Sequence, residues 1–398
     1  MTRLFPLSHL RNIRIFYILT VLNNCWFISG NWIFFWTLFM TYGQLGVVDA
    51  TAFAFGLLME VPSGAVSDLL GKKKTIATAM VLSCVGALFM SAAHSLMTLW
   101  GAFLLMQLGW ALYSGSAEAL AYDTLIENSL EDRYENVIST SGALATIVTV
   151  VTILTGGLLY AWHFRSTHFF WGVAYFLAIL ASLRLSEPSV DTEHFSLKGY
   201  LLQLGQGVKE LFKPSLRAYV IVIFSVMGAD YLYNYGLMRP VMAVGFGFLD
   251  KEQALYIALI TLIGAIFIHF IPYFRRFISD KKGLYLVGLL MGLGFMSAFF
   301  PLGNWGFFSM LIIGVSGQLA YPWVSIVVNK EIPSKYRATT LSTVALITKV
   351  PYVALGVLAG RMAEAGTFAY FSLGTGIVIL ASIGISAVFL FLRRTKTI

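Results

Sequence analysis

A carboxylate inside a long apolar run is costly unless it is paired, protonated or facing water, so each one is a candidate for chemistry. The densest cluster is "YSGSAEALAYDTL" from Tyr113, which holds Glu118 and Asp123. Glu118 carries a proton when neutral and binds a cationic solute when ionised. Against both stands a structural bond to a serine or a backbone group. Asp123, five residues on, has the same options or sits at a membrane interface. "MGADYLYNYGLMRP" from Met227 offers Asp230 and Asn234 beside Tyr231, Tyr233 and Tyr235. These rings form an aromatic wall or an interfacial belt, where tyrosine is common. Arg239 reads as an anchor or one half of a gate pair. Glu60 lies in the middle of another run, with a structural bond to a neighbouring helix and a transport role equally open. Lys349, in "ITKVPYVALG", is the one basic residue deep in such a run. It neutralises a distant carboxylate or snorkels to the surface.

Other reactive side chains point away from catalysis. Cys25 and Cys84 both fall in apolar runs and read as small buried hydrophobes, with no disulfide framework and no metal-ligand cluster. His269 reads as a satisfied histidine rather than a proton relay. The aromatic run "CWFISGNWIFFW" stacks on a flat solute or, for most of its rings, packs on lipid or core. There is no H-E-x-x-H, no G-x-S-x-G and no phosphate-binding loop, which argues against an intramembrane enzyme and against ATP-driven transport.

The elements that must hold these groups follow from composition. Of 398 residues, 58% are hydrophobic and 12% charged, where a soluble domain carries about 25% charged residues. A bilayer core of about 30 Å needs roughly 20 apolar residues per helix. Runs of that length cover 13–41, 48–70, 74–94, 97–124, 137–160, 167–186, 217–245, 253–273, 283–301, 304–328, 337–360 and 367–392. Barrel strands would alternate in polarity over about ten residues, and "GLYLVGLLMGLGFMSAFF" does not. The expected fold is an all-α membrane protein of twelve transmembrane helices. The first run follows Arg11 and Arg14 but is too long for a signal peptide, so one uncleaved helix is expected over 13–41.

Positive residues collect in cytoplasmic loops. With the N-terminus inside, 22 of the 27 Lys and Arg fall on that side, four fall outside, and Lys349 stays within a span. Both termini are therefore expected in the cytoplasm, with the chain in the plasma (inner) membrane. The net charge of +8 becomes a topological signal that needs no nucleic acid. The longest polar stretch, "SEPSVDTEHFSLKGY", reads as a linker over 187–216, with a surface amphipathic helix near "LLQLGQGVKELF". It parts an N-terminal six-helix bundle, 1–186, from a C-terminal one, 217–398. The halves echo each other. "YENVISTSGALAT" from Tyr134 matches "YRATTLSTVALIT" from Tyr336 at four positions, and Asp68-x-x-Gly71 is matched by Asp280-x-x-Gly283. Two parallel six-helix pseudo-repeats are a known transporter architecture. Polar residues gather in the first, fourth, seventh and tenth spans, including Asn23, Asn24 and Asn31 in the first. Those four spans are expected to line the pathway.

The stretch "EVPSGAVSDLLGKKKT" contains Gly64-x-x-x-Asp68-x-x-Gly71-Lys72-Lys73-Lys74. Glu60, Gly64 and Asp68 are spaced by four and share a helix face. Gly64 lets a neighbouring helix approach, and Gly71 permits the tight turn that ends the span. Asp68 is placed to accept from a helix N-terminus, while the lysines sit at headgroup level. This pattern resembles the loop signature of the major facilitator superfamily between its second and third helices, and length and layout fit over essentially the whole chain. The resemblance implies that Asp68, with Lys72, Lys73 and Lys74 in support, helps latch the two halves in the outward-facing state. The plain alternative is a positive-inside anchor beside a helix-end aspartate. Two features of many exporters in that superfamily are incomplete. "GAFLLMQLGW" in the fourth span has no Arg, and "VTILTGGLLY" in the fifth keeps Gly156 and Gly157 but lacks the Pro.

The expectation is a secondary active transporter moving a small organic solute by alternating access. Proton-coupled export of a drug or metabolite comes first and proton-coupled uptake second. A transporter-like sensor is the third reading, and it would usually bring an added soluble domain. A monomer among membrane lipids, without cofactor or metal, is expected.

Overall fold

The computed structural model of the chain describes residues 5–189 and 196–395. Residues 190–195 of the expected linker, and Arg3 and Lys396 of the basic termini, lie outside the described residues. A backbone in hydrocarbon must satisfy its own polar groups, and a helix does so within one segment. All twelve expected spans fall on helices, and there is no strand among the described residues. The first span is α1 (Arg11–Asn23) with α2 (Trp32–Trp36); then come α3 (Tyr42–Leu70), α4 (Lys72–Ala92), α5 (Leu96–Glu127), α6 (Tyr134–Trp162) and α7 (Ser166–Ser182). After α8 (Leu197–Leu211), the seventh span is α9 (Arg217–Asn234) with α10 (Met238–Gly245), and the eighth is α11 (Asp250–His269) with the short α12 (Ile271–Phe274). The last four are α13 (Asp280–Ser297), α14 (Gly306–Glu331), α15 (Ser334–Ile347) with α16 (Val350–Glu364), and α17 (Phe368–Thr395).

Among the described residues, eight helices are long and apolar enough to cross a membrane singly, and α9 with α10 makes a ninth as a pair bent by 64°. The other three spans fall short for local reasons. Helix α1 has 13 residues, α7 has 17, and α13 opens on Asp280, Lys281 and Lys282.

One continuous first helix over 13–41 is not what forms. The chain unwinds between Asn23 and Trp32. Asparagine amides compete with backbone donors, and here Asn24 Nδ2 donates to Thr20 O at 2.8 Å and Asn31 Nδ2 to Phe27 O at 3.3 Å. The amphipathic helix expected near residue 201 does form, as α8. Its Gly207 seats on Thr343 of α15, while Leu201 and Leu202 stay exposed.

The chain groups into two compact units. Unit 1 comprises Met1–Met40, Thr51–Leu197 and Asp250–Ala258; unit 2 comprises Thr41–Ala50, Lys198–Leu249 and Leu259–Ile398. The two repeat one packing scheme. In unit 1, α4 packs on α5 and α7, and α1 packs on α7 and α5; in unit 2, α13 packs on α14 and α17, and α9 does likewise. Glycines let these backbones close. A Cβ on Gly86 would lie 2.9 Å from Ala102 O, and one on Gly376 would lie 2.6 Å from Gly292 O. The echo between Tyr134 and Tyr336 falls at like places, in the first turns of α6 and α15. The second echo does not. Asp68 is in the last turn of α3, whereas Asp280 opens α13, because five residues separate α12 from α13 and only Gly71 separates α3 from α4.

Candidate functional site

Gly71 has φ 85° and ψ 151°, a backbone conformation that glycine alone takes readily. It turns the chain so that α4 begins at once on Lys72. That helix end is capped by Glu187, whose carboxylate accepts from Lys72 N at 2.6 Å and Lys73 N at 2.8 Å. An anion at a helix N-terminus meets unsatisfied N–H groups and the positive end of the dipole. The Lys72 ammonium forms a salt bridge with Asp123 of α5, and both side chains are largely enclosed, 12% and 5% exposed. Ser116 Oγ donates to Ser67 Oγ at 3.1 Å, tying α5 to α3 at the residue just before Asp68. Gly64, Asp68 and Lys73 are half-buried, and Lys74 is exposed. The signature is thus joined by Asp123, read from sequence as a pathway candidate, and by Glu187, which sequence reasoning missed.

With Asp123 engaged by Lys72, and Glu127 accepting from Ser189 Oγ at 2.6 Å, Glu118 is the remaining carboxylate of α5, and its side chain is exposed. Glu60 is half-buried near the middle of α3, where its carbonyl accepts from Ser63 Oγ at 2.8 Å.

A second polar cluster lies where the seventh span bends. Asn234 Nδ2 donates to Asp230 Oδ1 at 2.6 Å, and Arg239 Nη1, from α10, approaches Asn234 Oδ1 at 3.5 Å. Arg239 is therefore turned toward the acid rather than standing as an outer anchor. The Asp230 carboxylate lies over Gly317 of α14, where any side chain would collide with it. Of the tyrosines, Tyr233 is buried and donates to Met310 O at 2.9 Å, so it belongs to the core. Tyr231 and Tyr235 pair at 5.3 Å between ring centroids, and Tyr235 is exposed. Lys349 sits in the short turn between α15 and α16 and is half-buried.

The first span is interrupted at the place matching the seventh. Interruptions at corresponding points of two halves are the best pointer to a binding region in transporters of repeated architecture. Asn31 is fully buried and donates to Gly156 O of α6 at 3.1 Å. Its partner side explains why Gly156 is glycine, since a Cβ there would strike Phe27 O. Trp26 stacks on Trp110 at 5.6 Å and 19°, and Trp110 Nε1 donates to Tyr175 Oη at 2.9 Å. Both tryptophans are half-buried and packed on neighbouring rings of unit 1. In unit 2, a cavity of about 520 Å³ between α9, α16 and α17 holds none of the candidate residues and no charged side chain.

Known proteins match this arrangement. The Major Facilitator Superfamily profile matches residues 15–353. An uncharacterized MFS-type transporter of Bacillus subtilis (strain 168), YxaM, is 24% identical over 338 residues, covering 81% of each chain. The crystal structure of the nucleoside transporter NupG superposes with a TM-score of 0.76 at 15% identity, covering 96% of this chain and 98% of that one. A D-xylose–proton symporter does so with a TM-score of 0.71 at 14% identity, covering 94% and 96%. The chain belongs to the Major Facilitator Superfamily and, with it, is a multi-pass membrane transporter of some solute rather than an enzyme.

Proposed function

We propose that the protein exports a small organic solute, a drug or metabolite, by alternating access in exchange for protons. The observation that carries this reading is the set of three acids on α5, of which Glu127 accepts from Ser189 at the helix end. Asp123 is held by Lys72, which leaves Glu118 exposed on a transmembrane helix and able to take and release a proton. Asp230, with Asn234 and Arg239, is the second proton or solute group, and Glu60, Asn31 and Lys349 border the path. Lys72 and Asp123 work with Gly64, Asp68, Gly71, Lys73 and Lys74 as the conformational latch. Residues 1–186 and 217–398 are the two moving halves, joined by 187–216. The charge asymmetry supports cytoplasmic termini and an inner-membrane location, and the protein acts as a monomer.

Uptake is the second reading. It is favoured by the likeness to a protein named a D-xylose–proton symporter, although at 14% identity that likeness is one of fold. The test is accumulation of lipophilic cations, neutral amphiphiles and polar metabolites in an efflux-deficient bacterial host expressing the chain, with and without a protonophore. Export lowers accumulation of some compounds and the protonophore restores it; uptake raises accumulation and the protonophore abolishes it. Glu118→Gln is expected to abolish coupled transport while protein level and membrane insertion stay normal. Full transport by that variant sinks the assignment of Glu118.

A further inference from the structure

Asp49 lies in Thr41–Ala50, the first turns of α3, which group with unit 2. There α3 meets α16 through small residues. A Cβ on Gly360 would lie 2.5 Å from Tyr42 O and 2.8 Å from Gly46 Cα, and one on Gly46 would lie 2.8 Å from Gly356 O. Backbones this close leave no room for water between them. The end of the contact is pinned by Glu364, which accepts from Gly43 N at 2.8 Å and Thr41 Oγ1 at 3.0 Å. Inside it, Asp49 is 5% exposed and accepts a hydrogen bond from Tyr352 Oη. Tyr352 is 1% exposed and also lies 3.3 Å from Tyr235 O at the end of α9.

Among the described residues Asp49 forms no ion pair. The charged groups of the elements around it are engaged elsewhere or lie further along. Glu364 caps the first turn of α3, Asp230 and Arg239 meet at Asn234, and Arg361 and Lys349 stand toward the two ends of α16. Glu60 and Asp68 are further along α3. A carboxylate enclosed with one phenol for company is held at far lower cost as the neutral acid than as the anion.

We propose that Asp49 is a proton-binding residue of the transport cycle. A proton from water adds to its carboxylate as α3 closes on α16, and returns to water when the two helices part. The inference rests on the proton-coupled reading above but assigns a residue outside the set given there. Closing is then favoured at low pH and lost as pH rises, because the closed contact selects the protonated form.

The test is the spin–spin distance between labels at Val47→Cys and Leu358→Cys, two exposed positions on the facing helices. It uses the full-length protein in lipid nanodiscs, with Cys25 and Cys84 replaced by Ala, and needs no substrate. From mildly acidic to mildly alkaline buffer, the parent is expected to shift toward longer distances. Asp49→Asn should stay at the short distance throughout, and Asp49→Glu should keep the shift. Tyr352→Phe, which removes the donor to the anion, should move the midpoint to higher pH and serves if the Asn variant does not fold. A parent distance that ignores pH, an unchanged shift in Asp49→Asn, or an unmoved midpoint in Tyr352→Phe would overturn the proposal. Transport that ignores a protonophore, with the pH shift intact, would instead refute proton coupling and leave the site standing.

Discussion

The signature corner of unit 1 and its counterpart in unit 2 use corresponding helix ends with the charges reversed. In unit 1 the cation Lys72 opens the third span and pairs with the acid Asp123 on the fourth. In unit 2 the acid Asp280 opens the ninth span and pairs with the cation Lys330 on the tenth, at 3.2 Å. Their burial differs as well. Lys72 is 12% exposed, while Lys330 is 68% exposed and shares Asp280 with Arg275, whose Nε donates at 2.7 Å. The helix end is also served differently. A carboxylate from outside, Glu187, caps α4, whereas α13 brings its own acid in its first turn. What survives across the two units is an ion pair between two particular helix ends, and neither sign nor residue survives with it. A pair of this kind fixes the register of two helices whichever partner carries which charge.

The comparison breaks if the enclosed pair and the open pair respond alike. Lys72→Met is expected to have the largest effect, about 3–5 kcal/mol of stability, because it strands Asp123 as an enclosed charge. Equilibrium unfolding in mixed detergent micelles measures it. The double variant Lys72→Met with Asp123→Asn should regain most of the loss, since the penalty comes from the orphaned charge. A double variant no better than the single one would mean that lost packing dominates. Gly71→Ala should cost less, about 1–3 kcal/mol, by forcing a side chain into a positive-φ conformation. Its Cβ would also lie 3.0 Å from the Glu187 carboxylate, so Gly71→Ala with Glu187→Ala should recover the crowding part only. In unit 2, Gly283 lies within α13 and has no positive φ, so a side chain there is resisted for a different reason, collision with the Trp323 ring.

Much of this was legible in the sequence and some was not, for physical reasons. Apolar run length found all twelve spans, because hydrocarbon thickness leaves few other solutions. The turn at Gly71 and the lysines after it were readable because they are local. Glu187 was not, since it lies 115 residues from the helix end that it caps and nothing in chain order joins them. Asp49 was hidden differently. The run was expected to begin at 48, which puts Asp49 at its edge, but α3 starts at Tyr42 and carries Asp49 two turns inward onto α16. The matching contact in unit 1, where the first turns of α11 meet α6, is apolar. Ala254, Ile257 and Ala258 pack there with Ile153, and a Cβ on Gly157 would lie 2.7 Å from Ala254 Cβ. Hydropathy treats these two contacts alike, and only the fold separates them. The interruption of the first span was also missed, because an apolar run shows where a helix can form and says little about where asparagines divert it.

The smallest expected effect sharpens the comparison most. Lys330→Met removes a cation that is mostly in water, and exposed pairs contribute about 0–1 kcal/mol. Asp280 keeps Arg275 at 2.7 Å, and its backbone carbonyl still accepts from Trp323 Nε1 at 2.7 Å, so α13 and α14 stay joined without the lysine. The loss should also shrink in high salt, which screens an exposed pair far more than an enclosed one. The same unfolding experiment measures both, with Lys72→Met as the reference. If Lys330→Met costs as much as Lys72→Met and ignores salt, then Lys330 acts through something other than the ion pair. The two corners would then be alike in strength despite their difference in burial.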